Sequence, residues 1–237
     1  MLSTLFTLSV ACATGLAQAQ APAAQAPAAG TPEAAAASAN RPTPAGAKSI
    51  EAKAAMCIGC HGIVGYQASF PEVHKVPKIS GQSAKYIAAA LNAYKTGDRK
   101  HPTMRGIAAS LTEQDITDIS AWYESHGAGK QVAEKPSREP NPQIAALLQK
   151  AACASCHGAN FSRPIDPSYP KLAGQHADYL FVALKAYKVE NNPTVGRNNG
   201  VMGAIVKQYS NAELKALANY MAGLDGELTI KPEPRFR

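Results

Sequence analysis

The sequence predicts an all-α protein built as two tandem domains, and three observations carry that expectation. The hexamer CIGCHG at 57–62 returns as CASCHG at 153–158, about one small domain further along the chain. VPKISGQSAKYIAAALNAYKTG (76–97) lies against YPKLAGQHADYLFVALKAYKVE (169–190), and SLTEQDITDISAWYESHG (110–127) lies against QYSNAELKALANYMAGLDG (208–226). Finally, apolar positions recur at helical spacing, while nothing alternates at period two for long enough to build a sheet.

Residues 1–19, MLSTLFTLSVACATGLAQA, form an apolar run without an acid that ends in the small-x-small pattern Ala17-Gln18-Ala19, which reads as a signal peptide. The absence of Lys or Arg near its start is a departure. A membrane anchor is the alternative, but the run is short for a full span. Lipid attachment at Cys12 lacks the leucine expected three places earlier. Residues 20–46 are almost wholly Ala, Pro, Gln, Ser and Thr and cannot bury enough apolar surface to offset ordering, so they read as a disordered tether. The mature chain is therefore expected to be soluble and outside the cytoplasmic membrane.

The first domain is expected at 47–129 and the second at 141–237, with the Pro-, Gly- and charge-rich residues 130–140 linking them. Ala-rich Ser49 to Met56 precedes the first hexamer, and Asn141-Pro142, a cap followed by a proline at the first helical position, precedes the second. Both hexamers are thus expected at the end of a short helix, with Gly62 and Gly158 suiting its termination. In the middle helices Tyr86, Ala90, Leu91 and Tyr94, matched by Tyr179, Ala183, Leu184 and Tyr187, mark one face. The last helices open on Thr112 to Asp115 and Ser210 to Glu213, which resemble capping boxes. Ile116, Ile119 and Trp122, like Leu214, Leu217 and Tyr220, continue as a buried stripe. Such stripes ordinarily mark core and not cofactor contacts.

Cys57, Cys60 and His61, repeated as Cys153, Cys156 and His157, carry the chemistry. A Cys-x-x-Cys-His run brings two thiols within reach of the two vinyl groups of one haem and sets the adjacent imidazole against the iron. Zinc is a rival, since two C-x-x-C pairs could join in one site, yet such a site has no use for the histidine in both copies. A dithiol redox motif ordinarily follows a strand, and none is expected here. A disulfide staple is the remaining reading for four cysteines in an exported chain. Two covalent haems use all four.

A second axial ligand must come from elsewhere in each half. Met104, in HPTMRG, and Met202, in NNGVMGA, follow His61 and His157 at nearly equal distances, and thioether coordination suits a carrier of high potential. His101 competes for the first iron but has no counterpart histidine in the second half. Met56 abuts an attachment cysteine, Met221 reads as core, and His74, His126 and His176 read as solvated or locally satisfied.

These motifs resemble the class I cytochromes c, and among them the periplasmic di-haem cytochromes of the c-four type, over about residues 47–227. The resemblance implies two cytochrome c domains, each wrapped around one covalently attached haem c. It also implies that the Pro77 and Pro170 carbonyls accept hydrogen bonds from His61 and His157, and that Gly81-Gln82 and Gly174-Gln175 let their loops pass close to the haem. The tether is not part of that family's core, and KVENNPTVGRNNGVM (188–202) is longer than its first-half counterpart KTGDRKHPTM (95–104).

The function expected is a periplasmic electron shuttle, not an enzyme. It would run from a quinol-oxidising or dehydrogenase donor to a membrane haem-copper terminal oxidase, docking transiently at the membrane surface. A haem subunit of a dehydrogenase complex and a haem enzyme such as a peroxidase are the alternatives, and two symmetric methionines count against the second. The charge of +7 is too modest to imply nucleic acid, and four haem propionates would reduce it to about +3. Lys75, Lys78, Arg99 and Lys100, near the loops of the first haem, are expected to steer an acidic partner.

Overall fold

The structure, a computed structural model, describes residues 48–127, 129 and 131–232. The expected leader and tether lie outside the described residues. In the first half α1 (Ile50–His61) starts at Ser49, whose side chain accepts from the Ala52 N–H, and ends at Gly62. It carries the first hexamer in its last turns. It is followed by α2 (Ala84–Thr96), α3 (Pro102–Ala109) and α4 (Glu113–Ser125). Helix α4 packs on both α1 and α2, which places Ile116 and Ile119 in a core with Ile87, Leu91 and Tyr94.

The α4 start is a full capping box. Thr112 Oγ1 accepts from the Asp115 N–H, and Asp115 accepts from the Thr112 N–H, both at 3.1 Å. The same carboxylate meets Lys53 of α1 at 3.0 Å, and Lys53 also reaches Asp118 at 2.6 Å. One lysine thus ties the hexamer helix to α4.

The second half repeats the plan with α5 (Pro142–Lys150), α6 (Cys153–His157), α7 (Ala177–Ala186), α8 (Gly200–Lys207) and α9 (Asn211–Ala222). Helix α9 packs on α7 and α5 around a separate core containing Leu147, Phe161, Val206, Leu214 and Leu217. One expectation fails here. The second hexamer does not finish the preceding helix but forms a turn of its own beyond a break at Ala152, which sits at φ +48°. A left-handed alanine costs roughly 1–2 kcal/mol, and no Gly or Pro marks the break in the sequence. Gly158 is required as expected, though by the chain that follows: at φ +79° a Cβ there would lie 2.0 Å from the Arg163 carbonyl oxygen.

Among the described residues, four two-residue strands complete the fold. β1 (Gln67–Ala68) pairs with β2 (His74–Lys75) within the first half, while β3 (Arg99–Lys100) pairs antiparallel with β4 (Gly196–Arg197) across the halves. The P-K-x-x-G-Q segments complete the seam reciprocally. Gln82 accepts from the Lys171 N–H and donates to its carbonyl, both at 3.0 Å. Gln175 does the same to Lys78, both at 2.9 Å. Lys78 Nζ donates to the Gly174 carbonyl at 2.6 Å, and Lys171 Nζ to the Gly81 carbonyl at 2.8 Å. The tail adds a bridge from the Thr229 N–H to the Ser80 carbonyl. The segment read as a linker lies along the second half, where Val132 is buried and Arg138 sits over the Tyr220 ring.

The capping box yields a prediction. Its hydrogen bonds to Thr112, with Lys53 adding to them, hold the Asp115 carboxyl down at about 2 against an ordinary 3.8. A depressed carboxylate contributes in full above about pH 4, and the contribution is lost as the pH falls through about 2. Asp115→Asn should lower the unfolding free energy by about 1 kcal/mol at pH 7 in denaturant titrations. The gap to wild type should close near pH 2.

Candidate functional site

In each half the hexamer presents its two cysteines and its histidine on one helical turn, and none of these four cysteines is joined in a disulfide. His61 Nδ1 lies 2.8 Å from the Pro77 carbonyl oxygen, and His157 Nδ1 lies 3.1 Å from that of Pro170. A carbonyl only accepts, so each Nδ1 carries the proton and each Nε2 keeps its lone pair. Burial pulls both imidazoles below their ordinary range, partly offset by the prolyl carbonyls. They are therefore neutral at pH 7, with their rings fixed in orientation.

Burial also pushes the Cys57 thiol up to about 11 and raises Cys153. A raised thiol at these two positions does not suit a dithiol redox centre, which needs a ready thiolate. Among the described residues, moreover, no three His, Cys, Asp or Glu side chains converge as a zinc site requires.

Met104 and Met202 occupy the same structural position. Each is the third residue of a short helix, α3 or α8, and its N–H is directed at the capping side chain: His101 Nδ1 at 3.4 Å in the first half, Asn199 Oδ1 at 2.9 Å in the second. His101 thus has a counterpart after all, as a helix cap. Its ring also stands edge-on to Phe70, with centroids 5.6 Å apart. The longer loop of the second half is taken up before β4, where the Asn192 side chain accepts from the Thr194 and Val195 N–H groups. From Arg197 onward the chain is back in register with Arg99.

Both histidines, both methionines and all four cysteines line one continuous cavity of about 800 Å³ that runs through both halves. Tyr86, Ala90, Leu91 and Tyr94 line it, as do Tyr179, Ala183, Leu184 and Tyr187. The stripe that ordinarily marks core is here the cavity wall. An apolar cleft with neutral imidazoles on one part of its wall and thioethers on another, and thiols at its rim, fits haem c in each half. Met221 is buried as expected and Met56 is exposed. His126 Nδ1 is satisfied by the Trp122 carbonyl and His74 Nδ1 by that of Glu72. His74 is nonetheless buried, and the Nε2 of His176 is buried without a partner.

The expected basic docking face is corrected. Lys75 pairs with Asp178 at 3.4 Å, Lys78 donates to Gly174, and Lys100 Nζ donates to the Asn192 carbonyl at 2.6 Å. Arg99 is enclosed by tyrosines. All four side chains are spent on the seam between the halves, which linear order hides. Gln82 and Gln175 likewise bridge the halves, beyond letting their loops pass. The residues that the sequence reading missed are Arg197, Tyr179 and Asn199. The gapless match of DRKHPTM (98–104) to GRNNGVM (196–202) was the available signal for two of them. Burial raises the Tyr179 phenol, but Arg99 and Arg197 together outweigh it and bring it to about 8.

The cytochrome c family model matches residues 44–127 and again 143–225. A cytochrome c4 of Pseudomonas aeruginosa is 30% identical over 183 residues, covering 73% of this chain and 86% of that protein. A thiosulfate dehydrogenase electron acceptor of Stutzerimonas stutzeri is 30% identical over 180 residues, covering 71% and 78%. Among solved structures, reduced recombinant cytochrome c4 from Pseudomonas stutzeri superposes with a TM-score of 0.55 at 28% identity, covering 76% of this chain and all of that one. With two family domains in tandem, each bearing its own Cys-x-x-Cys-His helix, the chain belongs to the cytochrome c family, as a di-haem electron-transfer cytochrome of the c4 kind with two covalently bound haems c.

Proposed function

We propose that Cys57 and Cys60 hold one haem by thioether bonds and Cys153 and Cys156 the other, with His61 and His157 as proximal ligands through Nε2 and Met104 and Met202 as distal ligands. The Pro77 and Pro170 carbonyls keep the imidazoles in one tautomer and one orientation. In this reading the chain works in the periplasm, from a quinol-oxidising or dehydrogenase donor to a membrane haem-copper terminal oxidase. One observation supports it above the rest: in both halves a carbonyl-latched imidazole and a methionine at the third position of a capped helix line the same cavity. Bound there, haem supplies one-electron chemistry, with methionine ligation raising its potential. The apolar walls keep water from the site.

A second destination has support of its own. The Stutzerimonas stutzeri relative is a thiosulfate dehydrogenase electron acceptor, and this chain superposes, over 71% of its length, on 36% of a solved thiosulfate dehydrogenase chain from Marichromatium purpuratum with a TM-score of 0.51 at 27% identity. The donor in this reading is such a dehydrogenase, and the chain remains a carrier. Docking is transient in either case and uses the net positive charge, about +3 once four haem propionates are counted against +7, through residues other than the four at the seam.

Intact mass of the exported protein should show two haems and loss of residues near 1–19, and a single haem would overturn the assignment. Met104→His should remove about half of the weak long-wavelength absorption of thioether-ligated ferric iron and lower one of the two potentials. An unchanged band would assign the first iron to another ligand. For the partners, stopped-flow oxidation by oxidase-containing membranes and reduction by a thiosulfate dehydrogenase should each slow as salt rises. Fast, salt-sensitive reduction by the dehydrogenase without oxidation by the membranes would favour the second destination.

A further inference from the structure

Two arginines meet where the halves join. Arg99 on β3 and Arg197 on β4 are opposite one another in the strand pair, and both line the cavity. Tyrosines enclose them: the Arg99 guanidinium lies 4.7 Å from the Tyr94 ring centroid, and that of Arg197 lies 5.7 Å from Tyr179 and 5.5 Å from Tyr187. The Tyr179 hydroxyl accepts from both, at 2.7 Å from Arg99 and 3.1 Å from Arg197, while Tyr86 accepts from Arg99 at 3.3 Å.

Among the described residues, no carboxylate forms an ion pair with either arginine. The nearby acids are committed elsewhere: Asp98 to Thr96 and Asn198, Asp178 to Lys75. Arg99 Nε is buried with no hydrogen-bond partner. Two like charges side by side on the wall of a half-buried cleft are unfavourable through both desolvation and mutual repulsion, unless an anion joins them. The described residues supply none, so the anion belongs to what the cavity holds. Haem brings two carboxylates per ring, and the guanidinium fork matches a carboxylate in shape and charge.

We propose that Arg99 and Arg197, joined through the Tyr179 hydroxyl, form one shared clamp for the carboxylates of both haems, so that each arginine tunes both irons. This rests on the haem seating given above. Its consequence is electrical: removing a cation from a shared clamp stabilises the more positive ferric state at both sites and lowers both potentials.

Arg99→Gln and Arg197→Gln in the full di-haem chain test it by redox titration. Intact mass is checked first, so that a missing haem, which would count against the seating, is not mistaken for a failed clamp. Both midpoints should fall in each variant. A fall in only one of the two steps overturns the sharing, and no fall in either overturns the clamp. Arg99→Lys keeps the charge but loses the fork, and its midpoints should lie between those of wild type and Arg99→Gln. Should the glutamine variants fail to mature, Tyr179→Phe keeps both charges and the ring while cutting the link. It should shift both midpoints, and unchanged midpoints would overturn the proposal.

Discussion

The P-K-x-x-G-Q loop is the constraint on which the rest of this molecule depends, because one short backbone serves both the haem site and the joint between the halves. Its proline carbonyl orients the imidazole of its own half, its lysine reaches the glycine carbonyl of the other half, and its glutamine grips the other lysine's backbone. Gly81 shows how tight the arrangement is. At φ +86° a Cβ there would lie 2.5 Å from the Glu227 carbonyl oxygen. The loop therefore cannot shift to improve one contact without disturbing the others, and this is how a surface segment acquires the rigidity of a core element.

That rigidity also explains why one cavity runs through both halves. Each half has its own apolar core behind α2 or α7, and each turns the tyrosine-bearing face of that helix towards the shared space. Facing tyrosines give walls that are apolar in body and polar at the tip. The hydroxyl of Tyr179 can therefore join two guanidiniums at a wall whose other surfaces are largely aromatic and aliphatic.

Much of this was legible in the sequence because the chain states it twice. The hexamers, the capped helices and the methionines recur in order, and a duplicated pattern tests itself. What linear reading could not supply was which residues meet across the seam. Lys75, Lys78, Arg99 and Lys100 looked like a solvated basic face because neighbours in sequence give no sign of a partner about a hundred residues away, such as Asp178, Gly174 or Asn192. The stripe from Tyr86 to Tyr94 was read only as one face of a helix, because helical periodicity marks a face that avoids water without saying what lies opposite. The break at Ala152 left no trace at all, since neither glycine nor proline marks it. His101 was weighed as a ligand by residue type, whereas its place at the head of α3 makes it a cap.

The break at Ala152 also makes the two halves mechanically unequal. The first hexamer ends a continuous twelve-residue helix braced by Lys53 against α4. The second is a single turn set off from α5. An iron held on a stiff support rearranges its surroundings little when its charge changes, and one held on a compliant support rearranges them more. Reorganisation energy sets how fast an electron moves and not which way it goes, so unequal supports separate the two repeats in rate while any direction must come from a difference in potential.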